Sequence, residues 1–333
     1  MKRILKFIAA ALILVSAESC LRRPLDISGG ALLIELFPDW TVPYEFKGNQ
    51  PYNYAVMMYS AEDGNLVYED FCGKTGGRIR AVAGHYSTYV YDLDNTTTMF
   101  DGRENIRTLR AYTPDAPESQ KMLFAASRLA LASKVAEQGL RLTPVLGNPG
   151  YEYGRVIREP DMLFGGCNPD VNVPVLALSD KDYVVPVNTD FRLCQSRITI
   201  TGITKTEYIS SVRLYVTNFA SSRYVAIGEH DNTPCTETFQ ATDINEERIT
   251  GVFNHFGKIP GLTNTAYVII TDTGGGQYLF VNDITDQMEE QGDDADLNIE
   301  IDFEIPNPGE GGAGFQPDLD NWEVVWYSIP IGC

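Results

Sequence analysis

Leu297-Asn298-Ile299-Glu300-Ile301-Asp302-Phe303-Glu304-Ile305 alternates apolar and polar residues without a break. A strand turns successive side chains to opposite faces, so a period of two marks a β-strand with one face in a core and one in water. Upstream, Tyr267 to Asp272 and Gln277 to Val281 flank Gly274-Gly275-Gly276, which reads as a hairpin. Val175 to Leu178, Tyr183 to Val187, a long run from Phe191 to Ile203, Ser211 to Asn218 and Tyr224 to Gly228 continue the β pattern.

The first half repeats the theme. Ala31 to Phe37 reads as a strand that stops at Pro38-Asp39-Trp40. Tyr54 to Ser60 and Leu66 to Phe71 flank Asp63-Gly64, where glycine accepts the positive φ of a tight turn. Gly73, Gly76 and Gly77 mark a further turn before Arg78 to Val82. Ser87 to Tyr91, Ile106 to Tyr112 and Tyr153 to Ile157 are further strand candidates. Only Pro117 to Gly139 is rich in helix formers, with Asp115 and Glu118 placed to start a helix and Gly139 to end it. Short strands separated by turn residues predict antiparallel β-sandwiches. Cys167-Asn168-Pro169-Asp170-Val171-Asn172-Val173-Pro174 reads as a linker, which divides the chain into residues 20–170 and 171–333.

The N-terminus is an export signal. Lys2, Arg3 and Lys6 are basic, Phe7 to Val15 is apolar, and Ser16, Ala17 and Ser19 are small. The apolar core is far shorter than the roughly 20 residues that cross a bilayer as a helix. Residues 1–19 therefore read as a signal peptide. Ala17-Glu18-Ser19-Cys20 resembles a lipobox, with Cys20 at the position that takes the lipid. Ala17 and Glu18 depart from the usual pattern, and the competing reading is ordinary cleavage that leaves Cys20 as the first residue of a soluble protein. The outer-membrane bilayer, entered through acyl chains on Cys20, is the first partner expected.

A formal charge of −19 repels nucleic acid and anionic headgroups. Eighteen tyrosines and fifteen phenylalanines suit half-buried strands, and also a glycan-binding surface. Cys72, Cys167, Cys194, Cys235 and Cys333 show no metal-ligand spacing and read mostly as small buried hydrophobes. His85, His230 and His255 fall in no paired motif, and no nucleophile elbow or phosphate loop is present. Asp294, Asp296 and Asn298 have the spacing of calcium ligands, but Ile299 and Ile305 occupy the positions that need Gly and an acid. No catalytic residue, metal ligand or cofactor is expected. Carboxylates paired only in space, as a glycoside hydrolase needs, stay open as an alternative.

Several segments resemble a Bacteroides-type family of uncharacterised lipoproteins: Ala31-Leu-Leu-Ile-Glu-Leu-Phe-Pro-Asp-Trp40, Ala55-Val-Met-Met-Tyr59 with Asp63-Gly64, Gly84-His-Tyr86, Tyr89-Val-Tyr91-Asp92, Arg158-Glu-Pro-Asp-Met-Leu-Phe164, Gly314-Phe315 and Asn321-Trp322-Glu323. That family is similar to the fimbrillin and fimbrial-anchor group. The resemblance implies a mainly β fold of two antiparallel Greek-key, transthyretin-like sandwiches, no enzyme activity, a lipid-anchored place in the cell envelope and partnership with other fimbrial subunits through strand addition. Leu21-Arg22-Arg23-Pro24 departs from the acidic stretch linked to outer-leaflet export, so the leaflet is left open. The segment from Trp322 to Tyr327, with Trp322, Val324 and Trp326 on alternate positions, is the candidate strand-pairing element, read either as an edge strand of its own sheet or as a strand donated to another subunit.

Overall fold

The structure is a computed structural model that describes residues 30–137, 155–174, 183–307 and 323–326; Cys20, Trp322, Cys333, Gly139 and the strand expected at Val175 to Leu178 lie outside them. The chain opens with β1 (Gly30–Pro38), β2 (Asn53–Ser60), β3 (Leu66–Gly73), β4 (Gly76–Ala81) and β5 (Gly84–Asp92). The short strands β6 (Met99–Asp101) and β7 (Arg110–Tyr112) precede helix α1 (Glu118–Glu137). β8 (Arg155–Arg158), β9 (Phe164–Val173) and β10 (Tyr183–Phe191) follow.

Strands β1, β10, β9, β5, β2, β3 and β4, in that order, close into a barrel. Its interior is filled by Leu32, Ile34, Tyr54, Val56, Met58, Ile79, Val90, Val171 and Val185. β2 is apolar on both faces for a reason. Tyr54, Val56 and Met58 point into the barrel, while Ala55, Met57 and Tyr59 join the core of the second half. A strand covered on both sides reads as a continuous apolar run rather than an alternation. The Asp63-Gly64 turn joins β2 to β3 with Gly64 at φ +75°. Gly76 opens β4 at φ +106°, and a Cβ there would stand 1.9 Å from the Ile34 carbonyl oxygen, so only glycine fits.

The second half contains β11 (Cys194–Thr204), β12 (Ile209–Ala220), β13 (Ser222–Tyr224), β14 (Glu229–His230), β15 (Pro234–Gln240), β16 (Asp243–Ile244) and β17 (Arg248–His255). Then come β18 (Thr265–Asp272), β19 (Gln277–Asp283), helix α2 (Thr285–Gln291), β20 (Asp296–Glu304) and β21 (Glu323–Trp326). A six-stranded sheet, β21-β19-β18-β12-β15-β8, packs on a four-stranded sheet, β16-β17-β11-β20. Leu214, Val216, Phe239, Val268 and Phe280 meet Ile198, Ile200, Phe253, Leu297 and Ile299 in one apolar layer. Phe239 stacks on Phe253 at 4.1 Å between ring centroids. The alternation in β20 is as expected: Leu297, Ile299 and Ile301 are buried and Asn298, Glu300 and Asp302 are not.

Helix α1 covers the outer face of the six-stranded sheet. Phe124, Ser127 and Leu131, spaced three and four apart, are its buried stripe. Phe124 stacks on Tyr215 at 4.9 Å and meets Tyr267 edge-on at 5.1 Å. The Tyr215 hydroxyl donates to the Gln120 carbonyl at 2.9 Å. Asp115 spends its carboxylate on Arg155, at 2.5 Å, rather than on the helix N-terminus.

The chain is mainly β, as expected, and most strand pairs are antiparallel. Four described pairs are parallel: β1 with β10, β8 with β15, β11 with β20, and β19 with β21. The stretch Cys167 to Pro174 is corrected from linker to strand, because β9 runs through it and pairs with β5 and β10. Pro169 and Asp170 are accommodated at a bulge, where Asn168 faces Thr88 and Val171 faces Tyr86. The barrel therefore reaches past residue 170 to Phe191. The run Phe191 to Ile203 is broken at Arg192-Leu193, so its ends serve different sheets. β6 and β7 lie outside the barrel and join β13 and β14 in a separate four-stranded sheet, through pairing of β7 with β13.

Candidate functional site

The candidate strand-pairing segment lies at a sheet edge. β21 runs parallel to β19, from Glu323 opposite Tyr278 to Trp326 opposite Val281, and takes the outermost position of the six-stranded sheet. Val324 and Trp326 fall within this pairing, and Trp322 precedes it, outside the described residues. The neighbouring hairpin is rigid. Asp272 Oδ1 accepts the amides of Gly274 and Gly276, both at 2.8 Å, and its Oδ2 accepts the Tyr278 hydroxyl at 2.9 Å.

A second edge, β20, is closed by side chains. Asn298 N–H donates to Gln287 Oε1 at 2.8 Å and Gln287 Nε2 donates back to the Asn298 carbonyl at 2.9 Å. Asp296 and Gln291 repeat the exchange at 2.7 and 3.0 Å. Two glutamines four apart on α2 thus imitate the peptide groups of a missing strand. Beyond Asn298 the same edge carries Glu300, Asp302 and Glu304, charges that discourage a neighbouring strand.

Between the barrel and the sandwich opens a cleft of about 330 Å³ lined by Lys47, Asn49, Asp92, Asp161, Glu159 and Asn254, among others. The loop after β1 is sewn to the second half here. Gln195 Oε1 accepts the amides of Tyr44 and Glu45 at 2.8 and 2.9 Å, and its Nε2 donates to the Glu45 carbonyl and to Asn254 Oδ1. The Arg197 guanidinium lies 4.9 Å over the Tyr44 ring. Lys47 Nζ reaches Glu159 Oε1 at 2.5 Å and also donates to the Val252 carbonyl. Asn254 N–H donates to Glu159 Oε1 at 3.0 Å. The ion pair therefore caps β17 beyond the point where β16 stops pairing.

The acids in this cleft hold the chain rather than stand free. Asp161 accepts the amides of Thr96, Thr97 and Thr98, and despite its burial those bonds hold its carboxyl below the usual range. Asp94 accepts the amides of Tyr52 and Asn53. Asp92 takes the Phe164 amide and the Asn95 side chain, while burial pushes its carboxyl up to about 7. Carboxylates tied to backbone in this way are poorly placed to attack a substrate or carry its protons. Glu237, on β15, is different. It is fully buried, and neither carboxylate oxygen has a partner.

Ser196 and His255 form a buried pair 3.0 Å apart. Gly257 N–H donates to His255 Nδ1, which places the ring proton on Nε2, facing Ser196 Oγ. Ser196 Oγ in turn donates to the Asp293 carbonyl at 2.9 Å, so the imidazole takes no proton from it. Burial lowers the His255 pKa to about 4. Cys72, Cys194 and Cys235 are buried free thiols, and burial pushes the first two up to about 11 and about 12. Asp294 accepts the Gln195 amide and Asp296 pairs with Arg197. Among the described residues no group of three or more His, Cys, Asp or Glu is placed to hold a metal, and no helix is long and apolar enough to cross a membrane.

Lys47 and Glu159 carry no signal in the sequence, since their partners are remote, and although Gln287 and Gln291 bond residues only eleven and five positions on, nothing local marks that pairing. Glu237 carries one. It shares strand parity with Cys235 and Phe239, an acid among core positions.

A barrel and a sandwich with a common core, joined by loops and without an assembled catalytic group among the described residues, define a β-rich scaffold. The chain belongs to the family described as a domain of unknown function (DUF5119), whose sequence profile matches residues 30–240. No curated protein matches it. A candidate adhesin from Bacteroides ovatus shares its fold, with 15% identity over 93% of this chain and 98% of that one and a TM-score of 0.53. A second candidate adhesin from Bacteroides ovatus superposes with a TM-score of 0.44 at 10% identity, over 83% of this chain and 90% of that one. The fimbrial anchor protein Mfa2 from Porphyromonas gingivalis gives 0.41 at 12% identity, over 80% and 90%. The resemblance read from the segments between Ala31 and Phe164 lies within the matched residues and agrees with the family found, and the mainly β fold it implied is the one observed.

Proposed function

We propose that this chain is a non-enzymatic lipoprotein of the cell envelope, anchored through Cys20, that serves as a fimbrial anchor or minor adhesive subunit and works by β-strand pairing. The observation that carries the reading is β21: four residues, parallel, at the end of a sheet, held to β19 alone among the described strands. Such a strand is easily exchanged, because backbone bonds supply affinity while the side chains of one strand supply the register. The fold shared with a candidate adhesin supports the same role.

Deleting residues 319–333 tests it. In the donor reading the remaining chain melts as before but no longer co-purifies with sheared surface filaments. A fall in melting temperature with assembly intact makes β21 an ordinary edge strand and removes the proposal.

Glycan binding is a second reading with one observation in its favour. Arg197, Thr199, Arg248, Thr250, Asp296 and Asn298 line a polar groove of about 220 Å³ on the outer face of the four-stranded sheet. Donors and acceptors arrayed on a rigid sheet suit sugar hydroxyls. Glycan-array binding that is lost in Arg248→Ala supports this reading, and an empty array removes it.

A further inference from the structure

We propose that Lys47 and Glu159 become joined by an isopeptide bond inside the folded chain, with Glu237 moving the protons. The two reacting groups already touch, with Lys47 Nζ 2.5 Å from Glu159 Oε1 across 112 residues of sequence. Both are fixed. Nζ is held by the Val252 carbonyl, and Asn254 N–H donates to the same Glu159 oxygen that faces the lysine. An amine held against a carboxyl group in this way needs no encounter step, which removes much of the entropic barrier to amide formation.

The third group comes from strand register. β15 runs parallel to β8 with Glu237 opposite Ile157. Ile157 and Glu237 therefore share the face turned to the sandwich core, and Glu159 follows directly after β8 ends at Arg158. Glu237 sits there fully buried, with both oxygens unpartnered, and the charges of Glu159 and Lys47 act on it. A buried carboxyl without a hydrogen bond is costly, so a native chain that keeps one calls for a reason. Burial drives the Glu237 carboxyl well above its ordinary range, which favours its protonated form. A protonated carboxyl buried next to this pair can give one proton and take another once it closes to hydrogen-bond distance from them.

The step balances without oxidant or co-reactant. The Lys47 ammonium passes a proton to the Glu159 carboxylate, which leaves an amine and a carboxylic acid. The nitrogen lone pair attacks Glu159 Cδ and a C–N bond forms. Glu237 protonates the departing hydroxyl as the C–O bond breaks, and recovers a proton from the nitrogen. One water molecule is released and Glu237 ends unchanged. Lys47 and Glu159 keep 24% and 23% of their side-chain surface open to the cleft, which gives that water a way out. The product is a covalent staple between the loop after β1 and the segment after β8.

Peptide mapping of the full chain by mass spectrometry after trypsin decides the matter. The expected result is one branched species that joins the peptides containing Lys47 and Glu159, lighter than their sum by one water, with no tryptic cut after Lys47. Glu237→Gln and Lys47→Arg should each abolish the branched species while leaving a single cooperative melt. A wild-type digest with Lys47 cleaved and both peptides free overturns the proposal, whatever the variants do. So does a water loss that maps elsewhere, such as Asp63-Gly64. Joined peptides that persist in Glu237→Gln overturn the role given to Glu237.

Discussion

Replacing Gln287 and Gln291 by alanine removes the side chains that close the β20 edge and little else, since both lie at the surface of α2. Four hydrogen bonds disappear, at 2.7, 2.8, 2.9 and 3.0 Å. A hydrogen bond contributes about 0.5–1.5 kcal/mol net, and the low end applies here because water replaces these partners at an exposed edge. The double variant should therefore lose about 2 kcal/mol, slightly offset by the better helix propensity of alanine. For a chain of this size that is a fall in Tm of roughly 3 °C. Amide exchange is the sharper assay. The Asp296 and Asn298 amides bond only to these glutamines at the edge, so losing about 1 kcal/mol at each raises exchange about fivefold. Leu297 and Ile299, which face β11, keep their protection. Glu290→Ala, on the exposed side of the same helix, serves as control and changes neither quantity. If the Asp296 and Asn298 amides exchange at the same rate in the double variant and the wild type, the peptide-mimic account of α2 is wrong.

Phe124→Ala should cost about 3 kcal/mol, because it empties the contact with Tyr215 and Tyr267 that docks α1, and circular dichroism during chemical denaturation will read the loss. Asp92 has a folded pKa of about 7 against 3.8 unfolded, so the stability it lends is complete below about pH 4 and is lost as pH rises through about 7. Asp92→Asn should therefore flatten the pH dependence across that window and gain on the wild type at pH 8 by denaturant unfolding; parallel curves for the two proteins would refute the assignment. Cys167 is half-buried while Cys72, Cys194 and Cys235 are buried, so native alkylation should label Cys167 first among these four, as peptide mapping will show. Cys20→Ala should leave the membrane fraction and lose fatty-acid labelling if the lipid anchor is real.

The alternation of β20 was legible because one of its faces meets water, and the Asp63-Gly64 hairpin because its turn chemistry is local. The helix was legible from composition, although its buried stripe of Phe124, Ser127 and Leu131 is narrow and interrupted by the exposed Met122 and Leu129. What failed was non-local. Asn168-Pro169-Asp170 has the chemistry of a loop, and only the bulge against Tyr86 and Thr88 makes it part of a strand. Nothing in Arg110 to Tyr112 announces that its partner is β13, more than a hundred residues away. The cleft was invisible for the same reason. Lys47, Glu159, Gln195 and Asn254 lie on four separate stretches, and only the closed barrel brings them into reach of one another.

The parallel pairing of β1 with β10 bears on how the molecule is made. β1 is the first strand of the barrel to be synthesised, yet the strand that completes its pairing is the last. Until β10 arrives, β1 can bond only to β4, and its other edge is an open row of amides and carbonyls. Barrel closure is thus a late, high-contact-order event, and the partly made chain presents a vacant strand position for as long as delivery of the intervening residues takes. Folding therefore depends on the pace at which the chain is supplied: a pause after β9 lengthens the interval in which a stray strand can take the place of β10. A holding factor that recognises extended apolar chain would act at that interval, before the barrel is shut.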